Sequence, residues 1–357
     1  MSGPSDKSTT IYRQQVSANP AGPTVRSLEE LKEFFTPERY DELHARLLPR
    51  KLIVDSTNLC NSNCIFCAYQ YREEAVSTLS LDLLSHATRD YAQFHPQSFV
   101  TLTPAFGEPL LDRTIFEKVR IAKEHGIQRV QFYTNAILLK KRLAELLASP
   151  LDNLEISLAD FNRDEYVRIY RVDKYPDVLA GVSLLLKTLK EQGRRLPVKL
   201  NLMGRRDWSE IEKEPDYVEF IAPYLTEFVF IDLTRDYDNW NGSIEASDLL
   251  PGMTLKTQRP SDVALPCRRA HDLQLLSDGS VRLCGARRLP SGQQDGLVVG
   301  NIWEQSFAEI WQSEKTRTVI KSFFHSSAPD VCRDCSYFEG VGTNARRTIH
   351  VKPADPC

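Results

Sequence analysis

Six apolar, β-branched runs recur through the middle of the chain, with stretches of helical pattern between them. They are "KLIVDST" (51–57), "SFVTLT" (98–103), "RVQFYTN" (129–135), "NLEISL" (153–158), "VKLNLM" (198–203) and "FVFIDL" (228–233). Runs of this length and composition read as strands. Helix-like stretches fill 80–94, 113–125, 138–148, 163–170 with 176–192, and 209–223, and Gly126 and Gly193 stand where two of them should end. Strands alternating with helices predict an α/β fold whose parallel sheet, joined by right-handed crossovers, is open or curled toward a barrel. Chemistry in such sheets gathers at the carboxyl ends of the strands.

The flanks differ. Residues 1–25 are polar, rich in Ser and Pro, and read as a flexible tail. Ser27-x-x-Glu30 has the form of a capping box, and Thr36-Pro37 places an N-cap before a Pro at N1, so two short helices are expected within 26–49. The barrel-like alternation occupies 50–240, and a linker rich in Pro, Ser and Asp spans 241–265. Beyond it "DLQLLSDGSVRLC" (272–284) alternates around Asp278-Gly279, a hairpin signal. "GNIWEQSFAEIWQSEKTRTVIKSFF" (300–324) predicts a turn and an amphipathic helix. A small second unit over 266–340 and a tail over 341–357 complete the organisation.

The net charge of −3 supplies no global basic field, so neither nucleic acid nor an anionic membrane is expected as a partner. Apolar stretches such as "SLLLKTL" are too short to span a bilayer, and 1–25 lack the apolar segment of an export signal. A cytoplasmic location is the expectation, with thiols kept reduced. The eight cysteines then need a use other than disulfides.

Cys60, Cys64 and Cys67 follow directly on the first strand, spaced C-x3-C-x2-C. Thiolates suit zinc or an iron–sulfur cluster. A structural zinc site wants a fourth Cys or His close by, and the nearest, His86, lies within a predicted helix. Three thiolates would instead leave one iron of a [4Fe–4S] cluster open to an outside ligand. Cys267 and Cys284 bracket the hairpin, and Cys332 and Cys335 close the second set as "CRDC". By spacing alone those four could bind zinc or a cluster. Cys357 is left over and reads as an incidental thiol or a hydrogen donor on the tail.

The first cysteine loop resembles the CxxxCxxC signature of radical S-adenosylmethionine enzymes. The resemblance implies a partial (β/α)6 TIM-type barrel. It also implies a [4Fe–4S] cluster whose fourth ligand is the amino and carboxylate end of S-adenosylmethionine, cleaved on reduction to a 5′-deoxyadenosyl radical. Phe66 fits the aromatic that packs the adenine. "FGEPLLD" (106–112) looks like the family's GGEP turn, with Gly107 in the turn and Glu108 for the amino group; Phe106 replaces a glycine. "YTNAILL" (133–139) resembles the TNG-x-LL stretch, with Asn135 kept and Ala136 replacing the glycine. Ser157 and Asn201 fall where the family contacts ribose or carboxylate. The second set resembles the twitch domain, the shortened relative of SPASM, which implies an auxiliary [4Fe–4S] cluster on Cys267, Cys284, Cys332 and Cys335. The likeness covers roughly 50–338.

A cluster ligated by four thiolates has no open site for substrate, so electron transfer is its expected role. The cysteine plan resembles that of enzymes of the 2-deoxy-scyllo-inosamine dehydrogenase type. That implies net oxidation of a small substrate such as a sugar, aminocyclitol or nucleoside, with a reductant such as flavodoxin or ferredoxin. Epimerisation, decarboxylation and peptide modification are the alternatives within the family, and a zinc-binding interaction protein is the alternative outside it. "LTRDYDNWNG" (233–242) should reach the barrel mouth, which makes Arg235 and Tyr237 catalytic candidates beside Cys357. "GRRD" (204–207) offers cations for a carboxylate or phosphate, while "CRRAH" (267–271) and "CGARR" (284–288) place arginines beside the auxiliary cysteines.

Overall fold

The computed structural model describes residues 11–12, 32–33, 35–257, 265–285, 295–325, 327–341 and 350–351. The six expected strands form as β1 (Leu52–Val54), β2 (Phe99–Thr101), β3 (Arg129–Thr134), β4 (Asn153–Leu158), β5 (Val198–Leu202) and β6 (Val229–Leu233). They lie side by side in chain order and pair in parallel throughout. Period-two alternation sorts their side chains. Leu154, Ile156 and Leu158 of β4 join the buried core, while Glu155 and Ser157 take the other face.

The helices begin and end on local chemistry. Thr36 caps α1 (Pro37–His44) by accepting from the Arg39 N–H, with Pro37 in the first turn. Ser80 caps α2 (Leu81–Phe94), and Asn162 caps α5 (Arg163–Tyr170), the fifth helix after α3 (Ile115–Glu124) and α4 (Leu139–Ala148). Gly126 (φ +91°) and Gly193 (φ +60°) take the left-handed turn that closes α3 and α6 (Tyr175–Glu191). The helix expected over 209–223 is not continuous. It breaks into α7 (Trp208–Ile211), α8 (Pro215–Phe220) and a 3₁₀ turn at Ala222–Tyr224. Pro215 and Pro223 cannot supply the interior hydrogen bonds that one helix would need.

The hairpin forms as β7 (Leu273–Leu275) and β8 (Ser280–Leu283), turning at Gly279 with φ +89°. It is not a free-standing unit. Strand β7 pairs in parallel with β1, Leu273 opposite Leu52 and Leu275 opposite Val54. With β9 (Val298–Asn301) on the far side, one nine-stranded sheet runs β9-β8-β7-β1-β2-β3-β4-β5-β6. In the stretch expected to hold a turn and an amphipathic helix, 300–324, the chain leaves the end of β9 and the helix is divided into α9 (Phe307–Gln312) and α10 (Glu314–Lys321). Ser313 separates them, extended at φ −65°, ψ 153°, with its hydroxyl capping α10. Part of the expected linker is ordered, since Asp236–Tyr237 pairs with Thr254–Leu255.

Helix α1 fastens this second region from behind. The Tyr40 hydroxyl meets His271 Nε2 at 2.6 Å, His44 Nε2 meets the Trp311 carbonyl at 2.9 Å, and the Trp311 indole donates to the Leu47 carbonyl. Ser27, Glu30, Arg287, Arg288, Cys357 and both tails' bulk lie outside the described residues. Among the described residues no helix is long and apolar enough to cross a membrane.

Candidate metal centres

The first cysteine loop leaves the carboxyl end of β1 and is pinned from three sides. Asn63 and Ile65 donate to the carbonyls of Tyr170 and Ile169 at the end of α5, and the Glu108 N–H donates to the Leu59 carbonyl. Tyr69 folds back so that its hydroxyl and the main chain of Cys60 are within hydrogen-bond reach, at 3.1 Å to N and 3.0 Å to O. Cys60, Cys64 and Cys67 are free thiols. Burial raises the Cys60 thiol to about 12, helped by Glu108, and Cys67 to about 11. Burial also raises Cys64 well above the ordinary thiol, as do its neighbours Cys67 and Cys60. Such thiols ionise when a cationic metal takes the place of their protons.

Zinc fits this loop poorly. His86 is held elsewhere, its Nε2 3.1 Å from the Ile302 carbonyl and its ring stacked on Trp303. Three thiols lacking a fourth protein ligand suit a cubane that accepts an outside one.

The neighbouring motifs converge on that loop. Glu108 is buried and its carboxylate is heavily engaged. Oε1 accepts from the Leu110 N–H (3.0 Å) and the Thr134 hydroxyl (2.5 Å), and Oε2 accepts from the Asn135 N–H (2.7 Å). Burial outweighs these bonds and raises its pKa to about 7. One lone-pair direction on Oε2 is left for a further donor. Gly107 (φ +138°) is required by the protein itself, because a Cβ there would stand 2.2 Å from the Thr57 carbonyl. Asn135 donates to Asn61 Oδ1 (2.8 Å) and lies 3.9 Å from Cys60 Sγ. Ala136 holds the left-handed backbone, φ +62°, for which the related glycine would be the easier residue.

Ser157 and Asn201 are register partners on β4 and β5, and Asp232 of β6 pairs with Asn201. Ser157 Oγ meets the Tyr170 hydroxyl (2.9 Å), and Asn201 accepts from Thr234 (2.9 Å). The same face carries charges that sequence reading passed over. Lys199 Nζ lies 2.5 Å from Asp232 Oδ2 and 3.7 Å from Glu155 Oε2. Their signal was visible, one charged residue within each of three mainly apolar strand runs.

The segment after β6 serves the fold more than it offers free donors. Tyr237 is buried, donates to the Gly204 and Thr234 carbonyls, and stacks on Phe66 at 5.3 Å between ring centroids. Arg235 is bound to Asp207 (2.8 Å) and to the Arg206 carbonyl (2.7 Å). In this conformation both side chains are engaged by groups of the chain itself. The cations of "GRRD" are likewise engaged, Arg205 with Glu165 and Arg206 with Asp160 and Glu214.

The second cysteine set converges fully. Cys267, Cys284, Cys332 and Cys335 line one small cavity, together with Arg269 and Phe338. Burial first, then the other thiols, raises Cys267 to about 12 and Cys332 well above the ordinary value. Cys284 adopts φ +65°, and its N–H donates to the Asp272 carbonyl. Arg269 lies 3.6 Å over the Tyr337 ring and 3.6 Å from Glu339. Four thiols around one cavity, three of them buried, with a cation beside it match the chemistry of an iron–sulfur cluster.

Comparison with known proteins agrees with this geometry. Residues 54–214 match the radical SAM superfamily, and 267–336 match the iron–sulfur cluster-binding SPASM domain. A probable GTP 3′,8-cyclase of Metallosphaera sedula is 30% identical over 76% of this chain and 90% of that protein. One from Saccharolobus solfataricus is 34% identical over 45% of this chain and half of its own length. Among solved structures, BtrN in complex with AdoMet and 2-DOIA superposes with a TM-score of 0.51 at 17% identity, covering 81% of this chain and 93% of BtrN. Streptococcus suis SuiB bound to the precursor peptide SuiA gives 0.57 at 17% identity, covering 90% and 79%. At such identity these two speak for the fold alone. The chain belongs to the radical SAM superfamily, with a C-terminal SPASM/twitch region, and its cofactors are S-adenosylmethionine and [4Fe–4S] clusters.

Proposed function

We propose that this enzyme removes hydrogen from a small polyhydroxylated or amino-bearing molecule and completes a two-electron oxidation, an alcohol becoming a ketone. The observation that carries the reading is the convergence of all four C-terminal thiols on one cavity. A cluster held by four protein thiolates keeps no position for substrate and suits electron transfer. When bound, the first cluster with S-adenosylmethionine supplies a 5′-deoxyadenosyl radical, and the second supplies a one-electron acceptor.

The chain's own residues do the rest. Cys60, Cys64 and Cys67 hold the first cluster, and Cys267, Cys284, Cys332 and Cys335 the second. Glu108 takes the ammonium of S-adenosylmethionine on the open side of Oε2, and Asn135 sits beside Cys60 to meet its polar end. Phe66, backed by Tyr237, offers an aromatic face for adenine. Gly107 lets the Glu108 turn press against the end of β1. Ser157 and Asn201 line the strand ends for ribose hydroxyls. Glu155, Lys199 and Asp232 form a polar floor, in which a carboxylate takes the proton that the substrate hydroxyl gives up.

The likeness to GTP 3′,8-cyclases favours a second reading, a nucleoside triphosphate rearranged without net oxidation. Against it stand Arg205, Arg206 and Arg235, each already tied to a carboxylate and so ill placed to meet a polyphosphate. The test is anaerobic turnover with S-adenosylmethionine and a reductant against GTP, sugars, aminocyclitols and short peptides. Oxidation of a sugar or aminocyclitol gives one 5′-deoxyadenosine per ketone and fixes no solvent deuterium on carbon. Release of 5′-deoxyadenosine with GTP or peptide only, deuterium fixed at a substrate carbon, or stoichiometric zinc without iron would each sink the reading.

A further inference from the structure

Arg282 is a permanent cation inside the sheet that joins the two cysteine sets. It lies on β8 and is fully buried. Its Nη1 donates to the carbonyl of Cys284 at 2.8 Å and to Gln274 Oε1 at 3.0 Å. Its Nε stands 2.9 Å from Asp295 Oδ2 as an ion pair, and among the described residues neither Nε nor Nη2 makes a hydrogen bond. Gln274 in turn reaches Asp55 Oδ1 at 3.5 Å, just past the end of β1. A guanidinium is strongly penalised out of water, and an apolar residue in such a place is often as stable or more so. Stability alone therefore gives little reason for an arginine here. The position does: its Nη1 holds the main-chain carbonyl of a cavity cysteine.

We propose that Arg282 sets how readily the second cluster accepts an electron. Reduction adds one negative charge to the cluster and breaks no bond, and the electron comes from the substrate radical or from an external reductant. A fixed positive charge beside a ligating cysteine favours that more negative state without any proton moving. Asp295 opposes it by neutralising part of the charge. The inference depends on the cluster and not on the substrate, so it stands apart from the oxidation reading above.

The test is a redox titration followed by electron paramagnetic resonance on the full-length, reconstituted protein, with Cys60, Cys64 and Cys67 replaced by Ala to silence the first cluster. Arg282→Met should lower the ratio of reduced to oxidised cluster at least tenfold at a fixed potential, a shift of about 59 mV for a one-electron couple. Arg282→Lys should keep most of the parent value. Asp295→Asn should move the ratio the opposite way, and its partly exposed side chain makes it the deciding variant if Arg282→Met does not retain its cluster. A purely structural role would leave the midpoint unmoved or shift both variants in the same direction, and either result overturns the proposal.

Discussion

The N–H of Asn239 donates to the Ser336 hydroxyl at 2.7 Å, and the N–H of Ser336 donates back to Asn239 Oδ1 at 3.2 Å. Asn239 Nδ2 adds a bond to the Asp334 carbonyl at 2.9 Å. One residue on, the Trp240 indole donates to the Phe66 carbonyl at 2.8 Å. A single short segment after β6 thus holds both the first cysteine loop and the knuckle of the second. Asn239→Ala removes the side-chain half of this clasp and leaves the buried Ser336 N–H without its acceptor, at about 1–3 kcal/mol. Iron content should fall from about eight toward about four per chain, with the first cluster retained. Full iron content in the variant would show that the clasp does not hold the second site.

The Glu108 carboxyl, raised to about 7 by burial, is half protonated near neutral pH before any ligand binds. Only its ionised form attracts an ammonium group. Affinity for S-adenosylmethionine should therefore rise about tenfold from pH 6 to pH 8 and level off above the pKa. Glu108→Gln should bind more weakly and lose that component of the pH profile. Binding titrations of wild type and variant side by side measure both effects.

Lys118 and Asp112 form an ion pair at 2.5 Å with both side chains buried, and Lys118 also reaches the Ser56 carbonyl at the end of β1. Lys118→Met or Asp112→Asn strands the partner, and each should destabilise the protein by about 3–5 kcal/mol. The double variant Lys118→Met/Asp112→Leu should recover a large part of the loss. Chemical denaturation of the three proteins decides this, and strictly additive losses would argue against a coupled pair.

His271 is fixed in one tautomer. Its Nδ1 faces the Cys267 carbonyl (3.1 Å), which can only accept, so Nδ1 carries the proton and Nε2 accepts from Tyr40. Burial lowers its pKa from 6.5 to about 4. A depressed folded-state value means stability that is fully present above pH 6.5 and is lost as pH falls toward 4, up to about 3 kcal/mol. His271→Asn should be less stable than wild type at pH 7.5 but flatter in its response between pH 6.5 and 4. An unchanged acid slope would assign the acid sensitivity to other groups.

Most of this architecture is written locally in the chain. Strands β3 to β6 are bounded where their apolar runs stop, and Gly126 and Gly193 end helices because each takes a backbone conformation that other residues resist. The cysteines could be sorted into two sets by counting, and the structure brings the second set around one cavity. The contact of β7 with β1 was not legible, since it joins segments more than two hundred residues apart and neither run announces its neighbour. Tyr237 illustrates the same limit. Its position after β6 suggested chemistry, yet whether its hydroxyl faces substrate or two carbonyls depends on how Gly204 and Thr234 come round to meet it. Arg282 is not legible as buried from the sequence, because a charge on a hairpin strand looks like a solvent-facing residue until its partners are known.

The union of β7 with β1 also limits how this protein can be divided. A fragment ending before residue 265 would leave β1 with a bare row of main-chain donors and acceptors, directly beneath the cysteine loop. Such an edge invites pairing with another chain. Such an N-terminal fragment in isolation would therefore tend to aggregate, and loss of its cluster in that setting would reflect an uncovered strand, whatever the intrinsic worth of its three cysteines.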